Sequence, residues 1–195
     1  MMGAATLRVR VARKTVEAEG ICSFELVSAD GAPLPSFAAG SHVDVQVPDG
    51  PTRQYSLCND PAETHRYLLG VLREDAGRGG SAAMHDSVVP GQRLRIGLPR
   101  NLFALLPGRH RSRLLAGGIG LTPMLAMAEH LGREGADFVL HHALRSAARL
   151  AFGERLRTAP WAGRVRLHLD DGPPQQRFDP AAALKAILLS FLELW

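Results

Sequence analysis

A chain of 195 residues with 46% hydrophobic side chains can bury a substantial core, and its length suits one large domain or two small ones. Lysine and arginine number 23 against 19 aspartates and glutamates, so the formal charge of +4 is too mild to argue for a nucleic-acid partner. Only Cys22 and Cys58 are present, which argues against a disulfide framework and excludes a four-cysteine iron–sulfur site built from this chain.

The first regular segment, Leu7-Arg8-Val9-Arg10-Val11, alternates apolar and charged residues without an uninterrupted apolar run. It reads as a strand and not as a signal peptide, so the cytoplasm is the default location and no membrane span is expected. Further β-like runs follow at Ile21–Val27, His42–Val47, Gln54–Leu57, Tyr67–Leu72 and Arg93–Gly97, separated by turn signals such as Pro48-Asp49-Gly50-Pro51 and Pro90-Gly91-Gln92. Six short strands interrupted by one helical segment near Ala82–Ser87 predict a closed antiparallel barrel, because closure removes exposed sheet edges.

After Pro107 the rhythm changes. A strand at Leu114–Ala116, a helix at Pro123–Arg133, a strand at Phe138–Leu144, a helix at Ala147–Thr158, a strand at Val165–Leu169 and a helix from Pro180 predict a parallel sheet with crossover helices. The expected fold is therefore an all-β antiparallel barrel over residues 1–108, followed by an α/β domain with a parallel sheet over 112–195. Arg109–Arg113 serves as the linker. Arg100, Arg109, Arg111 and Arg113 read as a solvated interdomain loop, or alternatively as a docking rim for an acidic electron-transfer partner.

Two segments carry chemistry. Arg53-Gln54-Tyr55-Ser56-Leu57 sets a cation, an aromatic ring and a hydroxyl along a strand, with Arg53, Tyr55 and Leu57 on one side, a combination suited to holding a phosphate beside a flat ring. Gly117-Gly118-Ile119-Gly120-Leu121-Thr122-Pro123 lies between an apolar strand and a helix buried on one face. Thr122 can cap that helix and Pro123 fits its first turn, so free backbone N–H groups point toward an anion such as a pyrophosphate. A proline stands where the third glycine of G-x-G-x-x-G would be. No metal site is expected, since His141 and His142 are adjacent on a strand and face opposite ways. No Gly-x-Ser-x-Gly elbow is present to support a hydrolase.

These segments, in this order, resemble the ferredoxin reductase superfamily, and more closely its branch containing phthalate dioxygenase reductase and the vanillate demethylase reductase subunits. The likeness runs over roughly residues 7 to 184. It includes Gly40-Ser41-His42-Val43-Asp44-Val45, Arg53 to Asn59, Gly77-Arg78-Gly79-Gly80-Ser81 with Met84-His85-Asp86, Pro99-Arg100-Asn101-Leu102-Phe103, the glycine turn, and Leu167-His168-Leu169-Asp170-Asp171-Gly172.

The resemblance implies an NAD(P)H-dependent flavin oxidoreductase. Its cofactors would be FMN (or FAD) and NADH (or NADPH), with no 2Fe-2S cluster in this chain. Electrons would leave for an iron–sulfur acceptor, a ferredoxin or a Rieske oxygenase component serving an aromatic oxygenase or demethylase. It further implies that Arg53 partners the flavin phosphate, that Tyr55 lies along the ribityl chain or ring, and that Ser56 bonds the isoalloxazine edge near N5, with Leu57 completing the motif. Gly79, Gly80 and Ser81 would form a second phosphate seat. Gly117, Gly118, Gly120 and Pro123 would let the dinucleotide lie against the backbone, Thr122 would sit by the reacting rings with Ser56, and Arg145 and Ser146 would contact the adenosine ribose or its phosphate.

Two departures stand out. Ala82 replaces the basic residue that usually follows Gly-Gly-Ser, and no Cys-Gly-Pro segment or four-cysteine ferredoxin domain follows Asp179. The α/β domain is thus expected to be incomplete, and the apolar tail Ala181–Trp195 to pack as a makeshift helix or to leave an exposed patch. The alternative readings are a truncated, catalytically impaired flavin-binding remnant and a reductase of free flavin.

Overall fold

The computed structural model describes residues 5–48, 50–106 and 111–181. Its first strand, β1 (Thr6–Ala18), is much longer than the alternating run that announced it. Val9 and Val11 point into a core and are fully buried, while Arg8 and Arg10 between and before them face water. Irregularities at Val11/Arg13 and Val16/Ala18 bend the strand, so that residues 6–10 pair with β6 (Arg93–Gly97) while residues 9–18 pair with β2 (Ile21–Ser28).

With β3 (His42–Gln46), β4 (Thr52–Ser56) and β5 (Tyr67–Leu72), the antiparallel strands run in the order β4-β3-β6-β1-β2-β5. A bridge between Leu57 and Leu69 joins the two ends of that order and closes the barrel. Phe24, Leu26, Val43, Val45, Leu57, Tyr67, Leu69 and Ile96 fill its interior, and helix α1 (Gly80–Ser87) plugs one end with the fully buried Met84. Lys14 donates to the carbonyls of His85 and Val88 at the C-terminal end of α1, where a cation also suits the helix dipole, and the His85 ring meets the Val71 carbonyl at 2.9 Å.

The second unit follows the expected alternation. Strands β7 (Ser112–Gly117), β8 (Phe138–Leu144) and β9 (Val165–Leu169) form a parallel sheet in that order. Helix α2 (Leu121–Arg133) buries Leu121, Met124, Leu125, Met127 and Ala128 against it, the stripe that the sequence spacing required.

Two local expectations are corrected. The helix expected over Ala147–Thr158 is broken: a single 3-10 turn at Ala147–Arg149 is followed by a short α3 (Gly153–Thr158), and Phe152 between them is left-handed at φ 56°. Phe152 holds this costly conformation because its ring is buried and its N–H donates to Glu17 of β1. Nor does Thr122 cap α2. The cap position is Gly120, and the Thr122 hydroxyl in the first turn donates back to the Ile119 carbonyl at 3.0 Å. Arg109 and His110 of the expected linker, and the tail from residue 182 onward, lie outside the described residues, while Ser112 and Arg113 already belong to β7.

The two units share a polar seam. Arg155 of α3 donates to Glu129 of α2 through both Nε and Nη2 and to the Cys58 carbonyl of the barrel through Nη1, while the Trp161 indole donates to the second oxygen of Glu129. Arg133 reaches Asp60, and Arg149 reaches the carbonyl of Glu19. Among the described residues no helix is long and apolar enough to cross a membrane.

Candidate functional site

A cavity of about 540 Å³ opens where the β4–β5 side of the barrel faces the glycine turn of the α/β unit. The barrel contributes Arg53, Tyr55 and Ser56 from β4 and Gly80 and Ser81 from the start of α1; the α/β unit contributes Gly120, Thr122 and Pro123. The two chemical segments of the sequence therefore meet in one space.

On the barrel side, the arm of Arg53 lies across the first residue of α1. A Cβ on Gly80 would stand 2.7 Å from Arg53 Cγ, so only glycine admits that approach. Gly79, left-handed at φ 78°, occupies the cap position of α1, and no side chain caps the helix there. The Ser81 hydroxyl accepts from the Glu74 amide at 3.0 Å and keeps its own proton to donate. Among the described residues no carboxylate lies within ion-pair distance of Arg53, whose Nη1 bonds only the Thr52 carbonyl. An unpaired guanidinium beside uncapped helix amides is an anion seat.

The Tyr55 hydroxyl is buried without a hydrogen-bond partner. Burial pushes its pKa up to about 12, against the opposing pull of Arg53 and with a smaller push from Glu74. The phenol stays protonated and is a donor lacking an acceptor.

On the α/β side, Gly118 adopts φ 49° and opens one 3-10 turn, Gly118–Gly120, that runs directly into α2. A Cβ at Gly117, Gly118 or Gly120 would meet nothing within 4 Å, so the face of the turn is open. The turn is held from beneath by His142 of β8, fully buried, whose Nε2 lies 3.0 Å from the Gly118 carbonyl and donates to it in the neutral ring; its buried Nδ1 has no partner. Sequence reasoning took His142 only as an unlikely ligand. The signal for its role was a histidine at an inward position of an otherwise apolar strand.

Burial lowers the pKa of His142, with the Gly118 bond pulling the other way, and burial also lowers that of His141, which meets His168 at 2.9 Å. The unfolded chain therefore binds these protons more readily. Their contribution to stability is complete above pH 6.5 and is lost as pH falls from there toward the depressed folded values. The thermal midpoint is expected to drop on acidification below that pH. His142→Phe should remove part of the drop; identical pH profiles for both proteins would refute it.

The other expected site residues lie around this cavity rather than in its wall. Gly79 flanks it, Gly117 and Gly118 lead into its turn, and Leu57 is fully buried in the barrel core behind β4. Arg145 and Ser146 follow the end of β8, outside the lining. Gln54, Gly70, Leu72, Glu74, Gly77, Arg78 and Ile119 also line the cavity and were not singled out. Gly70 could have been noticed as a glycine inside a strand run: a Cβ there would stand 2.7 Å from Thr122 Cγ2.

An antiparallel barrel joined to a parallel α/β unit across a shared cavity is the architecture of ferredoxin-reductase-type proteins. Over this architecture the chain is homologous to phthalate dioxygenase and vanillate O-demethylase reductases. It is 54% identical over 163 residues to a vanillate O-demethylase oxidoreductase of Pseudomonas putida, covering 84% of this chain and 51% of the relative. It is 44% identical over 174 residues to the phthalate dioxygenase reductase of Burkholderia cepacia, covering 89% and 54%. The solved structure of a phthalate dioxygenase reductase, described as modular and as transferring electrons from pyridine nucleotides to [2Fe-2S], superposes with a TM-score of 0.83 at 44% identity, covering 90% of this chain and 55% of that one. No family model matches the chain. The chain spans about half the length of the curated relatives it matches.

Proposed function

We propose that residues 1–108 bind a flavin, FMN or FAD, and residues 112–195 bind NADH or NADPH, as the reductase part of a system that passes electrons to an iron–sulfur partner. The observation that carries this reading is the single cavity in which the unpaired Arg53, the Gly79–Ser81 helix start and the open glycine turn converge. Its volume is within the range of ~300–1,000 Å³ usual for cofactor sites.

When bound, the flavin supplies the chemistry, taking two electrons from the nicotinamide and giving them on singly. The residues present fit such a group. Arg53 holds a phosphate through two N–H groups, helped by the amides after Gly79 and the Ser81 hydroxyl. Tyr55 would donate the proton that has no acceptor among the described residues. Ser56 presents its hydroxyl at the ring edge, and Leu57 anchors the end of β4 from the core. Gly117, Gly118, Gly120 and Pro123 would seat the pyrophosphate against the start of α2, Thr122 would sit close to the reacting rings, and Arg145 and Ser146 would hold the adenosine ribose or its phosphate. Stacking the rings and excluding water suffice, so no separate acid–base dyad is needed.

The electron acceptor is a cluster held by four cysteines or by a Rieske site outside these residues. Cys22 and Cys58 are both buried, and burial pushes the Cys58 thiol up to about 12, far from the thiolate a cluster needs. The client is a Rieske-type aromatic oxygenase or demethylase, and the protein works in the cytoplasm.

Arg53→Ala is expected to weaken flavin retention by roughly ten- to a hundredfold while leaving the fold intact, since one charge-assisted bond to phosphate is worth about 1.5–3 kcal/mol. Equal flavin content in parent and variant after gel filtration would overturn the assignment. The yellow parent should also bleach on anaerobic addition of NADH; a yellow protein indifferent to NADH would favour a binding module without turnover.

A further inference from the structure

On the outer wall of the barrel, β1 and β6 place arginine directly opposite arginine. Arg8 faces Arg95 and Arg10 faces Arg93 across the antiparallel ladder, and all four side chains are exposed. Neighbouring strands are ~4.8 Å apart and alternate residues of one strand ~6.7 Å apart, so the four cations leave a compact square of backbone together. Directly opposed like charges destabilise a sheet, which makes two such pairs side by side a feature that folding alone disfavours.

Several other surface arginines are neutralised, although the exposed Arg78, Arg145, Arg157, Arg166 and Arg177 carry no ion pair among the described residues. Arg13 pairs with Glu25, Arg73 with Asp75 and Asp86, Arg100 with Asp44, Arg111 with Asp137, Arg133 with Asp60 and Arg149 with Glu19. Arg8, Arg10, Arg93 and Arg95 make no ion pair among the described residues. Asp30 senses the charge of Arg8, but its carboxylate is engaged by the Ser28 hydroxyl and the Ala32 amide. Beside Arg10 a groove of about 380 Å³ runs between Val27 and Pro33 on one side and Thr64 and His65 on the other, with room for a partner's side chain.

We propose that this wall is a docking surface for an acidic protein. Asp30 flanks the patch on its β2 side and the Asp44–Arg100 pair flanks it on its β3 side. A compact cationic square with a mixed groove beside it matches a protein contact, whereas a duplex needs a continued track of cations. In the strand order β6 and β1 stand third and fourth of six, with β4 and β5 at the ends that close on one another, so the patch is on the wall opposite the cavity. A protein held there leaves the cavity open. The proposal stands apart from the flavin reading and does not need it.

The double variant R93E/R95E separates binding from folding, because it turns both repulsive pairs into attractive ones. Its thermal midpoint should rise, while affinity for a polyglutamate peptide at low ionic strength falls by about tenfold or more. R95Q, which removes charge without creating a pair, should also weaken the peptide. NADH bleaching of the bound flavin serves as the separate readout of the cavity and should not change. Unaltered peptide affinity in either variant would overturn the proposal and leave the patch a solvated face. Tighter binding of duplex DNA than of polyglutamate of equal charge would overturn it in favour of nucleic acid.

Discussion

Gly40→Ala is expected to destabilise the protein by about 3 kcal/mol or more, the largest loss from a Cβ added at any of the described glycines. Gly40 sits at φ 91°, and a Cβ there would lie 1.9 Å from the backbone oxygen of Phe103, 2.9 Å from its carbonyl carbon and 3.0 Å from Met127 Cε. The first two contacts are with main chain and cannot be relieved by a rotamer change. They are also held in place: Asn101 donates to the Ala39 carbonyl at 2.9 Å, and His42 and Arg100 exchange both backbone hydrogen bonds. The entry to β3, the loop after β6 and helix α2 meet at this point, so relief of the clash must part the barrel from the α/β unit. Denaturant unfolding would measure the loss; a midpoint like the parent's would show that the loop yields freely. Flavin retention should suffer along with stability, because the cavity has one wall in each unit.

Glu129→Ala is the second large effect, a loss of about 2–3 kcal/mol. One carboxylate accepts from Arg155 Nε and Nη2 at 3.0 and 2.9 Å through one oxygen and from Trp161 Nε1 at 3.0 Å through the other. Removing it leaves a partly buried guanidinium and an indole N–H without their acceptor. About a fifth of each ion-pair side chain remains exposed, which keeps the expected figure below that of a fully buried pair. Glu129→Gln should recover part of the loss, since an amide oxygen can still accept. An alanine variant as stable as the parent would mean that water replaces the carboxylate at no cost.

Much of this architecture was legible in the residues. Alternation in Leu7–Val11 and the buried stripe of α2 each have one physical solution, and the barrel and parallel sheet follow from their order. The pairing of Arg53 and Ser56 with Thr122 in one cavity was legible only through the family resemblance, because no local pattern reveals which segments meet across a domain seam. What stayed hidden depends on tertiary contact. The break at Phe152 goes against local preference, since no propensity favours a left-handed phenylalanine; it exists because Glu17 and the buried ring hold it. Thr122 reads as a cap from its type, yet the turn that precedes it continues the helix backward, so the cap falls on Gly120. His142 gave only the hint of a polar residue where an apolar one was due.

β7 is the strand that delivers the glycine turn, and among the described residues it is bonded to β8 alone. The barrel wall of the cavity has no such margin, since its sheet closes on itself. The two walls therefore open to solvent at different free energies. Backbone amides of Leu114–Ala116 should take up deuterium sooner than those of Leu140–His142, and Leu115, 44% exposed, lies on the faster side. The half of the site proposed to receive the exchangeable cofactor is thus the half whose scaffold is expected to breathe, while the half proposed to retain the flavin is locked in a ring.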